Sequence, residues 1–345
     1  MRKLLLVLVL LACGNLCSAF TPALADSSTN TQPVRALHIV LRYLTVMDAK
    51  RLIDMAKLAN FNTVLFDPRD KVKFNRFPGK VLQDAWSREE FLSVVKYAQF
   101  QGLEVIPALQ LLSHQEQMFG DSHPELMFNH VTYDPSKELV YKLVYPYLDE
   151  IIELVHPSAI HIGHDELAGF TDESRKKWLL PGETPLPAEL FLKNVLRIHD
   201  YLGGKKVKTW MWEDLLISRE EVPGPPQRIL IGTVLPRYGK QLRSQLPKDI
   251  VICDNIYENG NSSEFPTMTI FMADGFKVLG STWRDKKTIS NFSKFAAKLG
   301  AKGMIATTWF VPLHNKNIVV NSWDEVNQII RESGEAFRKD FRDAQ

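Results

Sequence analysis

Two carboxylates stand side by side in the segment His161-Ile162-Gly163-His164-Asp165-Glu166, accompanied by two imidazoles and a glycine. Neighbouring acids can hold and move a proton at a reacting bond, provided that their surroundings make them titrate over different ranges. An Asp-Glu dipeptide alone is usually a solvated turn. Here it follows the apolar run Ala159 to Ile162, which reads as a buried strand, so the pair lies where a strand delivers side chains to a site. His161, His164 and His114 with Asp165 could instead ligate a metal that activates water, but the spacing lacks a His-x-His strand motif.

The elements that must position these groups follow a regular order. From Arg35 onward, short apolar runs alternate with longer amphipathic stretches, the sequence form of repeated βα units around a parallel sheet. Strands are predicted at Leu37 to Leu41, Thr63 to Phe66, Leu103 to Leu109, Ala159 to Ile162, Val207 to Trp212, Ile250 to Cys253, Lys277 to Gly280 and Met304 to Thr308. A ninth candidate, Ile229 to Val234, lies in a Pro-rich stretch and is read as peripheral. Thr45 with Asp48 and Ser87 with Glu90 have capping-box spacing, and Gly102 is a stop signal. A long helix is expected from about Lys137 to Val155. The expected fold class is α/β, a (β/α)8 barrel in one catalytic domain over residues 35–345, favoured over a doubly wound sheet by the unbroken β, α order.

In such a barrel the reactive groups project from the C-terminal ends of the strands. Those positions hold Arg42, Asp67, Arg69, Ser113, His114, Asp165, Glu166, Trp210, Trp212, Glu213, Asp214, Asp254, Tyr257, Trp283, Arg284, Trp309 and His314. Acids and tryptophans on one face suit a sugar, whose apolar ring faces stack on indoles while its hydroxyls bond to carboxylates and guanidinium. Strand alternation puts Trp210 and Trp212 on one face with Met211 opposite, and at most one of the two is expected to touch a sugar ring. Adjacent Asp165 and Glu166 cannot be the separated pair of an ordinary glycosidase, whose carboxylates lie about 5 to 9.5 Å apart across the bond. If Glu166 protonates the leaving oxygen, Asp165 can orient a substrate group that itself attacks the anomeric carbon, and a 2-acetamido group can do so.

The segment from His161 to Glu166 resembles the His-x-Gly-x-Asp-Glu signature of the family 20 glycoside hydrolases, the β-N-acetylhexosaminidases. Arg35-Ala36-Leu37-His38 resembles that family's opening strand, Leu103 to Gln110 with Ser113-His114 its third, Lys206 to Asp214 its fifth, and Thr307-Thr308-Trp309 its last. The likeness is nearest to the hexosaminidase D-like branch. It implies an exo-acting, retaining enzyme that removes terminal β-linked GlcNAc or GalNAc from amino-sugar glycans, with no cofactor and no metal. It further implies that Asp165 orients the acetamido group, that Glu166 is the general acid and later base, and that His114 and His161 support the pair. Trp212, Trp283 and Trp309 would wall the acetamido pocket, Tyr257 would hold the acetamido oxygen, and Arg35 would bind sugar hydroxyls. Three positions depart from the family pattern. His164 replaces a glycine and is expected to put a titratable ring beside the acid, Val40 stands where many relatives carry Asp, and Asn255 stands where an aromatic is common. A carbohydrate-binding protein that kept the fold and lost turnover is the alternative.

A hydrophobic fraction of 45% and a charged fraction of 24% are those of a folded domain. A net charge of +2 without a long run of one sign excludes the footprint of a nucleic-acid partner. Arg2 and Lys3, the apolar run Leu4 to Ala12 and the small residues ending at Ala23-Leu24-Ala25 read as a signal peptide over residues 1–25, followed by a polar linker over 26–34. The chain is therefore expected to be exported, periplasmic or extracellular. Leu10-Leu11-Ala12-Cys13 supports a rival reading as a lipoprotein box with a lipid anchor at Cys13. No later run approaches the roughly 20 apolar residues of a membrane span, so none is expected in the mature chain. Cys253, beside Ile250, Val251 and Ile252, reads as a buried structural thiol.

Overall fold

Runs rich in Val, Ile, Leu and Phe become strands shielded on both faces, the pattern a helix-wrapped parallel sheet requires. The computed structural model describes residues 32–167, 179–222, 238–309 and 323–342. Its strands are β1 (Val34–Val40), β2 (Thr63–Asp67), β3 (Glu104–Leu111), β4 (Met127–Asn129), β5 (Thr132–Tyr133), β6 (Ala159–Gly163), β7 (Lys208–Trp212), β8 (Val251–Asn255), β9 (Lys277–Thr282) and β10 (Gly303–Thr308). All but β4 and β5 form one closed parallel barrel in the order β1-β10-β9-β8-β7-β6-β3-β2, with each neighbour pair in parallel register. A helix follows each barrel strand, from Val46–Leu58 after β1 to Trp323–Asp340 after β10. The protein is a (β/α)8 barrel. The ninth strand candidate, Ile229 to Val234, lies outside the described residues, as do His314 and the export segment with Cys13. Among the described residues no helix is long and apolar enough to cross a membrane.

Local signals fix the helix starts. The Thr45 hydroxyl accepts from the Asp48 amide at 3.1 Å while the Asp48 carboxylate accepts from the Thr45 amide at 3.0 Å, and Ser87 with Glu90 repeats the arrangement. Caps of this kind contribute about 1 kcal/mol each.

Strand alternation divides the core into two layers. Ala36, Leu65, Ile106, Trp210, Val251, Cys253, Leu279 and Ile305 fill the barrel interior, while Leu37, Ile39, Val64, Phe66, Met211 and Ile252 face the helices. Cys253 is fully buried in the inner layer, and Trp210 and Trp212 share it with Met211 opposite. The filled lower barrel is a floor on which the C-terminal mouth is built.

One backbone approach sets the shape of that mouth. β3 and β6 pair with a register shift between Ala108 and Leu111, and Gly163 at the end of β6 has φ of 75°. A Cβ there would lie 2.8 Å from the Leu109 carbonyl oxygen. Both the left-handed backbone and the contact exclude a side chain. Gly163→Ala should therefore lower unfolding free energy by about 1–3 kcal/mol in urea denaturation, the range for a residue held in a disfavoured conformation; an unchanged midpoint would refute the constraint.

Candidate active site

The turn after β6 sorts its side chains between two environments. His164 and Glu166 share the positive φ of Gly163, at 71° and 45°. His164 is fully buried on the helix side of the barrel, with Nδ1 2.9 Å from the Ile162 carbonyl and Nε2 2.8 Å from the Asn194 amide, and its ring meets Phe191 edge-on. The same amide bonds to the Tyr133 and Tyr141 hydroxyls. The expectation that this ring stands beside the acid is corrected: it anchors β6 to the helix Ala188–Gly204. Burial lowers its pKa, so the ring is neutral and structural.

Asp165 turns the other way, into the mouth. His114, delivered by β3 through Leu112 and a left-handed φ of 55° at His114 itself, places Nε2 3.4 Å from the Asp165 carboxylate and 3.9 Å from that of Glu166. Burial would lower the His114 pKa, but the Asp165 charge and the hydrogen bond to that carboxylate together outweigh it and raise the imidazole to about 9. Burial likewise opposes ionisation of Asp165, and His114 overcomes it, holding the carboxyl below its ordinary value. The two form an ion pair at neutral pH. The Glu166 side chain is more open, 34% exposed against 13% for Asp165.

The remaining groups form a continuous contact chain around the mouth. His161 stands 4.4 Å from Trp212, Trp212 5.6 Å from Trp309, and His38 4.6 Å from Trp309, as ring centroids. The Trp309 indole N–H donates to the Tyr257 hydroxyl at 2.7 Å, and Tyr257 meets Trp283 edge-on at 6.0 Å, with the Arg284 guanidinium over that indole. Burial, joined by His38, pushes His161 down to about 3, and burial pushes His38 to about 4, so both rings are neutral. Because His161 Nδ1 accepts from the Gly163 amide at 3.1 Å, its proton resides on Nε2. Buried polar atoms without a hydrogen-bond partner among the described residues collect here: both His38 nitrogens, His161 Nε2, Asp165 Oδ1 and Glu213 Oε1. Such a concentration marks a place where a ligand supplies the missing bonds.

Arg35 is not among them. It lies near the start of β1, at the opposite end of the barrel, and its strand parity is that of the helix-facing Leu37 and Ile39. Its guanidinium donates to the carbonyls of Asn60 at 2.9 Å and Phe341 at 3.2 Å. The substrate-binding expectation is corrected: Arg35 ties the barrel base to the C-terminal segment. Guanidinium groups at the mouth include Arg42, 3.1 Å from Asp70, and Arg69, 3.0 Å from Asp67, besides Arg284.

Sequence reading placed Glu213, Asp214 and Asp254 at the mouth but gave them no role, and the structure gathers the first two behind Glu166. Asp214 accepts from the Glu166 amide at 3.3 Å and from Asn255 Nδ2 at 3.3 Å, and Glu213 accepts from both the amide and the side chain of Asn255. Burial and then the neighbouring carboxylates push Glu213 and Asp214 well above the ordinary range, and burial raises Asp254 to about 7. Asn255 thus bridges two buried carboxyls, which accounts for an amide where an aromatic was expected. Among the described residues no group of three His, Cys, Asp or Glu side chains is arranged to hold a metal ion.

A parallel barrel whose mouth gathers paired carboxylates, neutral imidazoles and indoles defines the glycoside hydrolase class. Comparison with known proteins supplies the family: the model of the glycosyl hydrolase family 20 catalytic domain matches residues 63–232, and the chain belongs to this family. It is 30% identical over 171 residues to hexosaminidase D of Bos taurus, covering 46% of this chain and 48% of that protein. It is 22% identical over 338 residues to β-hexosaminidase A of Caenorhabditis elegans, covering 84% of this chain and 58% of that protein. The chain thus spans about half the length of the curated relatives it matches. The chitobiase structure of Flavobacterium johnsoniae shares the fold, with a TM-score of 0.64 at 16% identity over 89% of this chain and 48% of that one.

Two outcomes follow from this geometry. In an NMR titration His114 should lose its proton near pH 9, and in Asp165→Asn its midpoint should fall below the ordinary 6.5, because burial remains and the charge is gone. The His114 contribution to stability is fully present below 6.5 and is lost as pH rises through about 9, whereas that of Asp165 is present above 3.8 and is lost as pH falls. Arg35→Met should cost about 1–3 kcal/mol of stability by leaving two carbonyls unpaired, with KM for any substrate unchanged; a raised KM would return Arg35 to the site.

Proposed function

We propose that this protein is an exo-acting, retaining β-N-acetylhexosaminidase that hydrolyses terminal β-linked GlcNAc or GalNAc with the substrate's own acetamido oxygen as nucleophile. The carrying observation is the division of labour at the end of β6: Asp165 is held ionised by His114 at 3.4 Å, and the adjacent Glu166 presents the more open carboxyl. Family membership and the names of the relatives, hexosaminidase and chitobiase, agree with this reading.

In the proposed reaction the Asp165 carboxylate accepts the acetamido N–H, turning the acetamido oxygen toward the anomeric carbon. Glu166 donates its proton to the leaving oxygen as the acetamido oxygen closes on the anomeric carbon. The oxazolinium ring so formed is cationic, and the Asp165 charge stabilises it. Glu166, now a carboxylate, takes a proton from the water that reopens the ring, so configuration is retained. Burial holds the Tyr257 phenol protonated, which lets it donate to the acetamido oxygen, and Trp212 and Trp309 supply apolar walls.

Aryl β-GlcNAc and β-GalNAc glycosides should be hydrolysed with or without chelator, and the matching aryl β-glucoside, which lacks the acetamido group, should not. Asp165→Asn should lower kcat about 10²–10⁴-fold, and Glu166→Gln should do the same for poor leaving groups, the range for loss of a positioned proton-transfer or charge-stabilising group. Full activity in both variants would overturn the assignment, and loss to chelator would favour metal-activated water. Tight sugar binding without turnover would favour a binding protein.

A further inference from the structure

The end of the barrel opposite the mouth carries a charge pattern that catalysis does not use. Lys208 and Lys277 open β7 and β9 with exposed side chains, and the half-buried Lys302 immediately precedes β10. The Lys302 amide bonds to Val278 beside Lys277, so these residues share one patch. The effect is visible in Lys302, whose pKa is lowered by burial and then by the Lys208 and Lys277 ammonium groups. Among the described residues none of the three has a carboxylate within ion-pair distance. Of the acids at this end, Asp274 binds Arg243, Asp249 faces His199, and Glu104 accepts from Ser158 and partly offsets the two lysines at Lys302.

At the opposite end the charges are paired or suppressed: Asp67 faces Arg69, Asp70 faces Arg42, Asp165 faces His114, and Glu213 and Asp214 are driven toward the neutral form. At the rim of the basic end, Leu58 and Phe100 close two helices with 83% and 86% of their surface exposed. This is also the end where residues 32–33 lead into β1, the Val34 amide bonding to the Lys302 carbonyl.

We infer that the N-terminal end of the barrel is a docking face for an anionic lipid bilayer, with Lys208, Lys277 and Lys302 as its cationic centre and Leu58 and Phe100 as its apolar contacts. Lysines near an anionic surface attract it, and side chains such as Leu and Phe settle at the headgroup boundary. The mouth lies at the other end of the barrel, so docking turns the site outward, toward glycans in solution. The face fits a sheet of negative headgroups because its charge is spread across the barrel end and not gathered in a pocket.

The test is co-sedimentation of the full chain with vesicles of phosphatidylcholine alone or mixed with phosphatidylglycerol. The wild type should pellet with the anionic vesicles in low salt and be released by 1 M NaCl, which shortens the screening length to about 3 Å from about 8 Å at physiological ionic strength. Lys208→Glu/Lys277→Glu/Lys302→Glu should weaken that partition about tenfold or more, and Phe100→Ser should weaken it at constant charge. The N-terminal segment is common to every variant, so it cannot produce these differences. Circular dichroism melting verifies folding, with the triple Lys→Gln variant in reserve. Equal pelleting of wild type and triple variant would overturn the proposal, as would binding to soluble polyphosphate without binding to vesicles.

Discussion

The turn that closes β6 determines which way every group of the site faces. An L-residue at position 163 would strike the Leu109 carbonyl, so β6 can lie against the shifted β3 only with glycine there. With the left-handed backbone at Gly163, His164 and Glu166, His164 stays on the outward side that Ile162 occupies and Asp165 faces inward. His164 pins this choice by reaching the Ile162 carbonyl and Asn194 together. A site built on such a turn is held by the scaffold and not by the loops around it, which is what positioning of a charge to within a fraction of an ångström requires.

Electrostatics complete what the turn begins. Several carboxyls crowd one barrel end, and burial makes each of them costly to ionise. His114 relieves that cost chiefly for Asp165, at 3.4 Å against 3.9 Å for Glu166. Asp214 and Glu213, whose bonding partners among the described residues are the Glu166 amide and Asn255, are driven toward the neutral form. Chemically similar groups thus end in different protonation states through the identity of their neighbours, the condition for acid and base chemistry at one pH. A carboxyl kept neutral behind Glu166 also spares the pair a further negative charge.

Much of this was legible in the residues. Periodicity gave the barrel because burial on both faces leaves a run of apolar residues, and the capping boxes marked helix starts because the bonds are local. The mouth could be read from strand ends, since alternation and chain direction decide which side chains reach it. Arg35 was misplaced by likeness to an opening strand, although both its position near the start of β1 and its parity with Leu37 and Ile39 point away from the mouth. His164 keeps the parity of the helix-facing Ile160 and Ile162, so alternation could have placed it away from the site, whereas Asn255 was not legible because it depends on β7 and β8 bringing Glu213, Asp214 and Asn255 together across the barrel wall.

The barrel interior explains why imidazoles and indoles, and not more carboxylates, underlie the pair. Below the mouth the core is dry and aliphatic, built of Ile106, Val251, Leu279 and Ile305. A charged residue at the next level would face that core without solvent, at a cost no single partner repays. His38, His161, Trp212 and Trp309 occupy this level instead, flat groups that pack against each other and stay neutral. They keep hydrogen-bonding edges available upward while sealing the floor. The charge of Asp165 therefore sits above a layer that neither neutralises nor hydrates it, and its strongest partner from the protein is the His114 cation beside it. A cationic intermediate forming over that floor meets a carboxylate already ionised, and the barrel need not rearrange to stabilise it.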